Sequence, residues 1–155
     1  MKKARLILTA SILSLVTLSM VTFTSCTKDD KTCPVGMEGK NCDVEMRTKF
    51  VNSWSAVDVV NGNQLVYTCN IVKGLNINQV TISNAFSDHF FSNNINATVD
   101  GNTITIADQK PDGSTSMYSV SGSGTYSNNQ ISWDYIIVED VTGVKQTYTG
   151  VWTAQ

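Results

Sequence analysis

Hydrophobic and polar residues alternate along most of the chain after residue 46, with the period of two that is typical of β-strands. The alternation is clearest near the end, where Tyr148, Gly150 and Trp152 share one face and Thr147 and Thr149 lie on the other. No helical period of 3.6 persists in this region. The pattern therefore predicts strands that have one buried and one solvated face.

Short polar segments rich in glycine and asparagine separate these strands. Asp100-Gly101, between Val99 and Ile104, is the sharpest hairpin signal in the chain. Connections this short join antiparallel neighbours, so we predict an eight-stranded meander. The predicted strands are 49–60, 64–73, 79–86, 95–100, 103–108, 116–127, 130–139 and 146–154.

Eight antiparallel strands with one buried face are most simply completed by closing the sheet into a small barrel. We expect bulky apolar side chains to fill its interior, with few polar groups among them. Gly122, Gly124 and Gly150 fall on the inward face, where they should make room for large aromatic side chains. The alternative all-β fold, a β-sandwich of the immunoglobulin kind, finds no support in the spacing of cysteine and tryptophan.

The first 25 residues have the layout of a secretory signal. Three cations precede an apolar run, Leu6–Phe23, that is too short and too rich in serine and threonine for a stable membrane span. With Ser25 before Cys26, the segment resembles a bacterial lipoprotein signal. The resemblance implies cleavage after residue 25 and a lipid on Cys26. The alternative is an ordinary cleaved signal that leaves the Cys26 thiol free.

Residues 26–32 are polar and predict a flexible tether. Lys28-Asp29-Asp30 resembles the export signal of Bacteroidetes-type lipoproteins, which implies a position on the outer membrane facing the cell exterior. A generic solvated linker is the alternative, and the protein would then face the periplasm.

Two cysteines and two glycines in residues 33–46 match the pattern C-x-x-G-φ-x-G-x-x-C. This segment resembles the last loop of an EGF-like module, which implies a Cys33–Cys42 disulfide with turns at Gly36 and Gly39. A metal site is the rival interpretation, but two cysteines without a nearby histidine make a poor zinc cage. We expect Cys69 to be a free, buried thiol.

The segment Lys49–Trp54 resembles the first strand of a lipocalin or calycin barrel, with Asn52 in place of the glycine of G-x-W. The resemblance implies that Trp54 closes one end of a calycin-like barrel formed by residues 47–155. As a whole, the chain resembles small Bacteroidetes lipoproteins that carry calycin-like or lipocalin-like domains.

The charge and the ionisable residues narrow the classes of function. Residues 26–155 contain 8 Lys and Arg against 13 Asp and Glu, a formal charge of −5 that argues against nucleic-acid binding. The single histidine, His89, has only Asp88 beside it, and no nucleophile motif is present. Asp134 and Glu139 are expected on the solvated surface. We therefore predict no enzymatic activity, no cofactor and no metal.

The longest irregular connection, residues 84–94, carries three aromatic residues: Phe86, Phe90 and Phe91. They would either plug the barrel end or form a lid or contact patch for a ligand. We expect a membrane-anchored binding or interaction module with a protein or glycan partner. The alternatives are a lipocalin-like carrier of a small apolar ligand and an inhibitor of secreted enzymes.

Overall fold

The structure, a computed structural model, describes residues 32–85 and 91–155. This part of the chain is all β apart from one short 3₁₀ helix, Met46–Phe50. The signal peptide, Cys26 and all of the predicted tether except residue 32 lie outside the described residues. The ten strands are β1 Met37–Glu38, β2 Val44–Glu45, β3 Asn52–Val60, β4 Asn63–Lys73, β5 Gln79–Ser83, β6 Ile95–Asp100, β7 Thr103–Gln109, β8 Tyr118–Ser127, β9 Gln130–Glu139 and β10 Lys145–Ala154.

Strands β3 to β10 form a closed barrel in which every pair of neighbours is antiparallel. Closure is made by β10 and β3, which pair continuously from Thr149 opposite Val59 to Ala154 opposite Trp54. The predicted meander and its closure into a barrel are confirmed, and the β-sandwich alternative is wrong. Closure gives every barrel strand two neighbours, so the barrel has no free edge strand.

The two ends of the barrel differ. The base is the end that carries the 3₁₀ helix and the β4–β5, β6–β7 and β8–β9 connections. The loop end carries the other connections between successive barrel strands. At the base, Asn128 and Asn129 form the β8–β9 turn at φ values of 51° and 60°, a conformation that asparagine tolerates better than most residues. A second short turn, at the loop end, uses Asn61 and Gly62 in the same way.

The first barrel strand begins later than predicted. Residues 46–50 form the 3₁₀ helix, and β3 starts at Asn52 rather than at residue 49. Phe50 is fully buried, and its carbonyl oxygen accepts a hydrogen bond of 2.9 Å from Nε1 of Trp54. The helix therefore packs its last residue into the base of the barrel. In the described part of the chain, no helix has the length and apolar character needed to cross a membrane.

Two inward glycines have the role that the sequence predicted. A Cβ atom on Gly122 would lie 2.4 Å from Cβ of Tyr135, and one on Gly124 would lie 2.8 Å from the ring of Trp133. Both distances are too short for real contacts, so β8 approaches β9 only because these positions carry no side chain.

The cysteine loop forms a small hairpin of its own before the barrel. Cys33 and Cys42 are joined by a disulfide, as the EGF-like resemblance implies, with Cα atoms 5.3 Å apart. Gly36 and Gly39 both have positive φ, at 82° and 91°, which is the backbone freedom that the tight turns require. The hairpin is tied to the 3₁₀ helix by a hydrogen bond of 2.9 Å from the amide of Met46 to the carbonyl of Gly36.

Candidate functional site: a carboxylate inside the barrel

Among the residues that the structure describes, Asp58 is the one acidic side chain that is fully buried in the barrel interior. It lies on β3 with the same inward parity as Trp54 and Ala56, and its exposed fraction is 0%. The sequence predicted an interior with few polar groups, but it did not predict that Asp58 would be one of them. A buried carboxylate is costly unless it is hydrogen-bonded, so its partners decide what it does.

Three donors from three other strands converge on the Asp58 carboxylate. Oδ2 accepts hydrogen bonds from the hydroxyl of Tyr67 on β4 and, at 2.7 Å, from the hydroxyl of Tyr135 on β9. Oδ1 accepts a hydrogen bond of 2.9 Å from Nε1 of Trp152 on β10. Among the described residues, no cation forms an ion pair with Asp58. The carboxylate is therefore held by neutral donors alone.

Gly150 provides the space for this carboxylate. It pairs directly with Asp58 across the β10–β3 closure. A Cβ atom on Gly150 would lie 2.0 Å from Oδ1 of Asp58, a distance that no pair of atoms can tolerate without movement. We predicted that Gly150 makes room for an aromatic side chain. The group that needs the space is instead the carboxylate of Asp58.

Aromatic side chains surround the site and pack against one another. The Trp133 and Trp152 rings lie 5.0 Å apart in a tilted arrangement, and Tyr67 meets Trp152 edge-on at 6.2 Å. Tyr135 stacks on Tyr148 with ring centroids 4.7 Å apart. Such pairs contribute about 0.5–1.5 kcal/mol each beyond their burial. Each of the three donors thus takes part in an aromatic pair, and all three belong to the hydrophobic core of the barrel.

Burial shapes the acid–base behaviour of the neighbouring groups. Desolvation raises the pKa of the Cys69 thiol well above its ordinary value, and the nearby Asp58 charge raises it further. The pKa values of the Tyr135 and Tyr148 hydroxyls are raised for the same two reasons, with the Tyr67 hydroxyl adding to the shift at Tyr135. These groups therefore stay protonated near neutral pH, and little of the Cys69 thiol is in the nucleophilic thiolate form.

The arrangement can hold side chains in place but does not present a reactive group. Asp58 is fully buried and its two oxygens already accept three hydrogen bonds. A general base needs access to a substrate proton, which this geometry does not provide. We interpret the Asp58 cluster (Asp58, Tyr67, Tyr135 and Trp152) as the polar centre that orients the aromatic core.

The structure places the residues proposed from the sequence as follows. Trp54 is fully buried near the base and meets Tyr126 edge-on at 6.4 Å. Phe91 is 3% exposed and belongs to the core. Phe86 and Phe90, the other two members of the predicted contact loop, lie outside the described residues, as does His89.

Two other acidic side chains of the barrel lie outside the Asp58 cluster. Asp134 is exposed on the outer wall. Asp112 accepts hydrogen bonds of 2.7–3.0 Å from the backbone amides of Ser92 and Asn93, so it links two connections at the loop end. Within residues 32–85 and 91–155, no three histidine, cysteine or acidic side chains come together in a way that could hold a metal ion.

The alternation of inward and outward residues in β3 could have predicted the inward position of Asp58. Counting by two from Trp54 leads through Ala56 to Asp58, so an inward Trp54 requires an inward acid. The three donors had no comparable signal, because their separations from Asp58 are 9, 77 and 94 residues.

Comparison with known proteins assigns neither a family nor a function to the chain. No protein-family model matches the chain, and no curated protein matches it. The inference of function therefore rests on the geometry of the barrel.

Proposed function

We propose that the protein is a lipoprotein anchored through Cys26, whose barrel serves as a binding or interaction module that uses its outer surface. The observation that carries this proposal is the packing of large side chains into the interior of the described barrel. All three tryptophans of the chain, Trp54, Trp133 and Trp152, are at most 2% exposed and lie inside the barrel.

A lipocalin-like carrier would need an internal cavity of about 300–1,000 Å³. The space lined by Tyr118, Ile137 and Gln146 at the loop end holds only about 70 Å³. Two larger grooves of the described surface lie on the outer wall, and a third, of about 350 Å³, lies at the base beside the cysteine loop. One of about 420 Å³ is lined by outward side chains of β3, β9 and β10, among them Val57 and Val151. This distribution favours a partner on the outside over a ligand on the inside.

The chemistry of the outer surface favours a protein partner. The large exposed hydrophobic residues of the described chain are aliphatic or methionine, and none is aromatic. Val66 and Val151 are 69% and 44% exposed and flank Val57 in one row across β4, β3 and β10. Contiguous exposed apolar side chains mark surfaces that contact another protein or a membrane.

A cavity-forming variant tests the filled interior. Trp133→Ala removes a buried indole whose Nε1 has no hydrogen-bond partner in the described structure, so mainly packing is lost. The cavity should bind added indole, which should raise the melting temperature of the variant and leave that of the wild type unchanged. Ile106→Ala, with a smaller cavity, is a second variant should Trp133→Ala not fold. A wild-type protein that is itself stabilised by indole or by a fatty acid would contradict the proposal.

The anchor is tested separately. Cys26→Ala should abolish incorporation of a labelled fatty acid and release the protein from membranes, while the barrel remains folded. Replacing Asp29 and Asp30 by Ala should lower the protease accessibility of the protein on intact cells. Label retained in the Cys26→Ala variant would remove Cys26 as the lipid acceptor. Unchanged accessibility would remove the export role of Lys28-Asp29-Asp30.

A further inference from the structure

The base of the barrel presents a small apolar projection that we name the base tip: Val35, Leu75 and Ile77. Their exposed fractions are 75%, 101% and 40%, and Leu75 is the most exposed large hydrophobic residue that the structure describes. The three residues come from two neighbouring segments, because a Cβ atom on Gly36 would lie 2.8 Å from Cγ2 of Ile77. The cysteine loop and the β4–β5 turn therefore meet at this point.

The turn that displays Leu75 is held rigidly. Arg47 is only 8% exposed, and its Nη1 donates hydrogen bonds to the carbonyl oxygens of Gly74, Asn76 and Gln79 at 2.9, 2.6 and 3.1 Å. The turn also closes on itself through a bond of 2.9 Å from the amide of Gly74 to the carbonyl of Gln79. These hydrogen bonds hold the backbone around Leu75 so that its side chain stays in solvent. Exposing this apolar surface to water costs free energy, which burial against a partner would recover.

The charges beside the base tip are compensated. Glu45 forms ion pairs of 2.9 Å with Arg47 and 2.8 Å with Lys73, and these two cations lower the pKa of its carboxyl to about 2. Residues 32–50 together with Lys73 and Asp100 contribute four cations and four acids to the base. The surface is therefore electrically balanced, and its attraction to a partner is apolar rather than ionic.

We propose that the base tip docks on the surface of the lipid bilayer, an inference that rests on the proposed lipid anchor at Cys26. The chain from Cys26 to Cys33 spans at most about 25 Å when fully extended, so the anchor keeps the base close to the membrane. Val35 follows Cys33 by two residues and lies on this side of the molecule. Three side chains cannot supply the roughly 800 Å² per partner that a stable dimer buries, which favours a membrane over a second copy.

Docking in this way would fix the orientation of the anchored barrel. The base would lie on the membrane, and the loop end with the β9–β10 turn would point away from it. Val141 lies in that turn and is 81% exposed, so it offers a matched control position at the opposite end.

A fluorescent probe at each end tests the proposal on the full lipidated chain in vesicles of phosphatidylethanolamine and phosphatidylglycerol. Leu75→Cys and Val141→Cys each introduce one accessible thiol for the environment-sensitive dye NBD. On the lipidated chain the Cys26 sulfur carries the lipid, Cys33 and Cys42 are bonded to each other, and Cys69 is buried. We expect dye at position 75 to gain several-fold in emission, shift to the blue and be quenched by spin-labelled lipid. Dye at position 141 should show none of these changes.

Three other outcomes of this experiment would contradict the docking proposal or the lipid anchor on which it rests. A protein that floats with the vesicles while the dye at 75 stays solvated would overturn docking and leave the anchor standing. A protein that carries no acyl chain would instead defeat the proposed function. Blue-shifted emission at position 75 that depends on protein concentration without vesicles would show a second copy covering the base tip, and would also overturn the proposal.

Discussion

Replacing Asp58 tests whether the buried carboxylate organises the barrel core. Asp58→Ala removes the acceptor of hydrogen bonds from Tyr67, Tyr135 and Trp152 in a site with no exposure. Each buried donor that loses its acceptor costs roughly 1–3 kcal/mol. Relief from burying a charge offsets part of that sum. We therefore expect a loss of roughly 3–5 kcal/mol in the free energy of unfolding.

Smaller changes at the same site should follow a fixed order. Asp58→Asn keeps the volume but replaces one acceptor oxygen by a donor, so it should cost less than Asp58→Ala. Tyr67→Phe removes the hydrogen bond from the Tyr67 hydroxyl to the Asp58 carboxylate and should cost roughly 1.5–3 kcal/mol. Asp134→Ala, on the exposed wall of β9, is the control and should stay within about 0.5 kcal/mol of the wild type.

Urea unfolding followed by tryptophan fluorescence measures these differences as shifts of the midpoint at unchanged slope. Thermal unfolding should agree, with a fall of roughly 10–20 °C in the melting temperature of Asp58→Ala. If Asp58→Ala and Asp58→Asn both cost less than about 1 kcal/mol, the carboxylate does not organise the core, and our interpretation of the cluster is wrong.

Three further predictions follow from the same structure. Gly150→Ala should destabilise the barrel by roughly 2–4 kcal/mol because its Cβ meets Asp58, and a double-mutant cycle should show most of that loss vanishing when Asp58 is already Ala. Cys69 should resist alkylation by iodoacetamide in the folded protein and react on unfolding, because burial raises the pKa of its thiol. The carboxyl pKa of Glu45 is about 2 when folded and about 4.5 otherwise, so its contribution to stability should be present above pH 4.5 and lost as the pH falls toward 2. Glu45→Gln should remove that dependence from the unfolding free energy, and an unchanged pH profile would contradict the ion-pair assignment.

The strands could be predicted because alternation and turn chemistry are local properties of the sequence. Asp100-Gly101 and Asn128-Asn129 set two of the hairpins directly, and the observed strands β6 and β9 have the predicted bounds. The start of β3 was missed because the 3₁₀ helix depends on contacts that are distant in the sequence. Arg47 in that helix binds carbonyl groups of the β4–β5 turn 27 to 32 residues away.

The Asp58 cluster also depends on contacts between residues that are distant in the sequence. Parity alone places Asp58 inside the barrel, but an aspartate is tolerated there only if donors from β4, β9 and β10 reach it. Those donors are brought together by the register of closure, in which Gly150 stands opposite Asp58. A single sequence does not encode that register in any local pattern, so neither the cluster nor the role of Gly150 could be predicted.

We propose that side chains fill the barrel and that its outer surface contacts the partner. Native mass spectrometry of the protein purified from membranes tests it most directly, because a ligand held inside the barrel would survive gentle ionisation. We predict only the mass of the mature polypeptide with its covalent lipid. A stoichiometric, non-covalent apolar molecule that persists after repeated detergent exchange would contradict the claim and favour a lipocalin-like carrier.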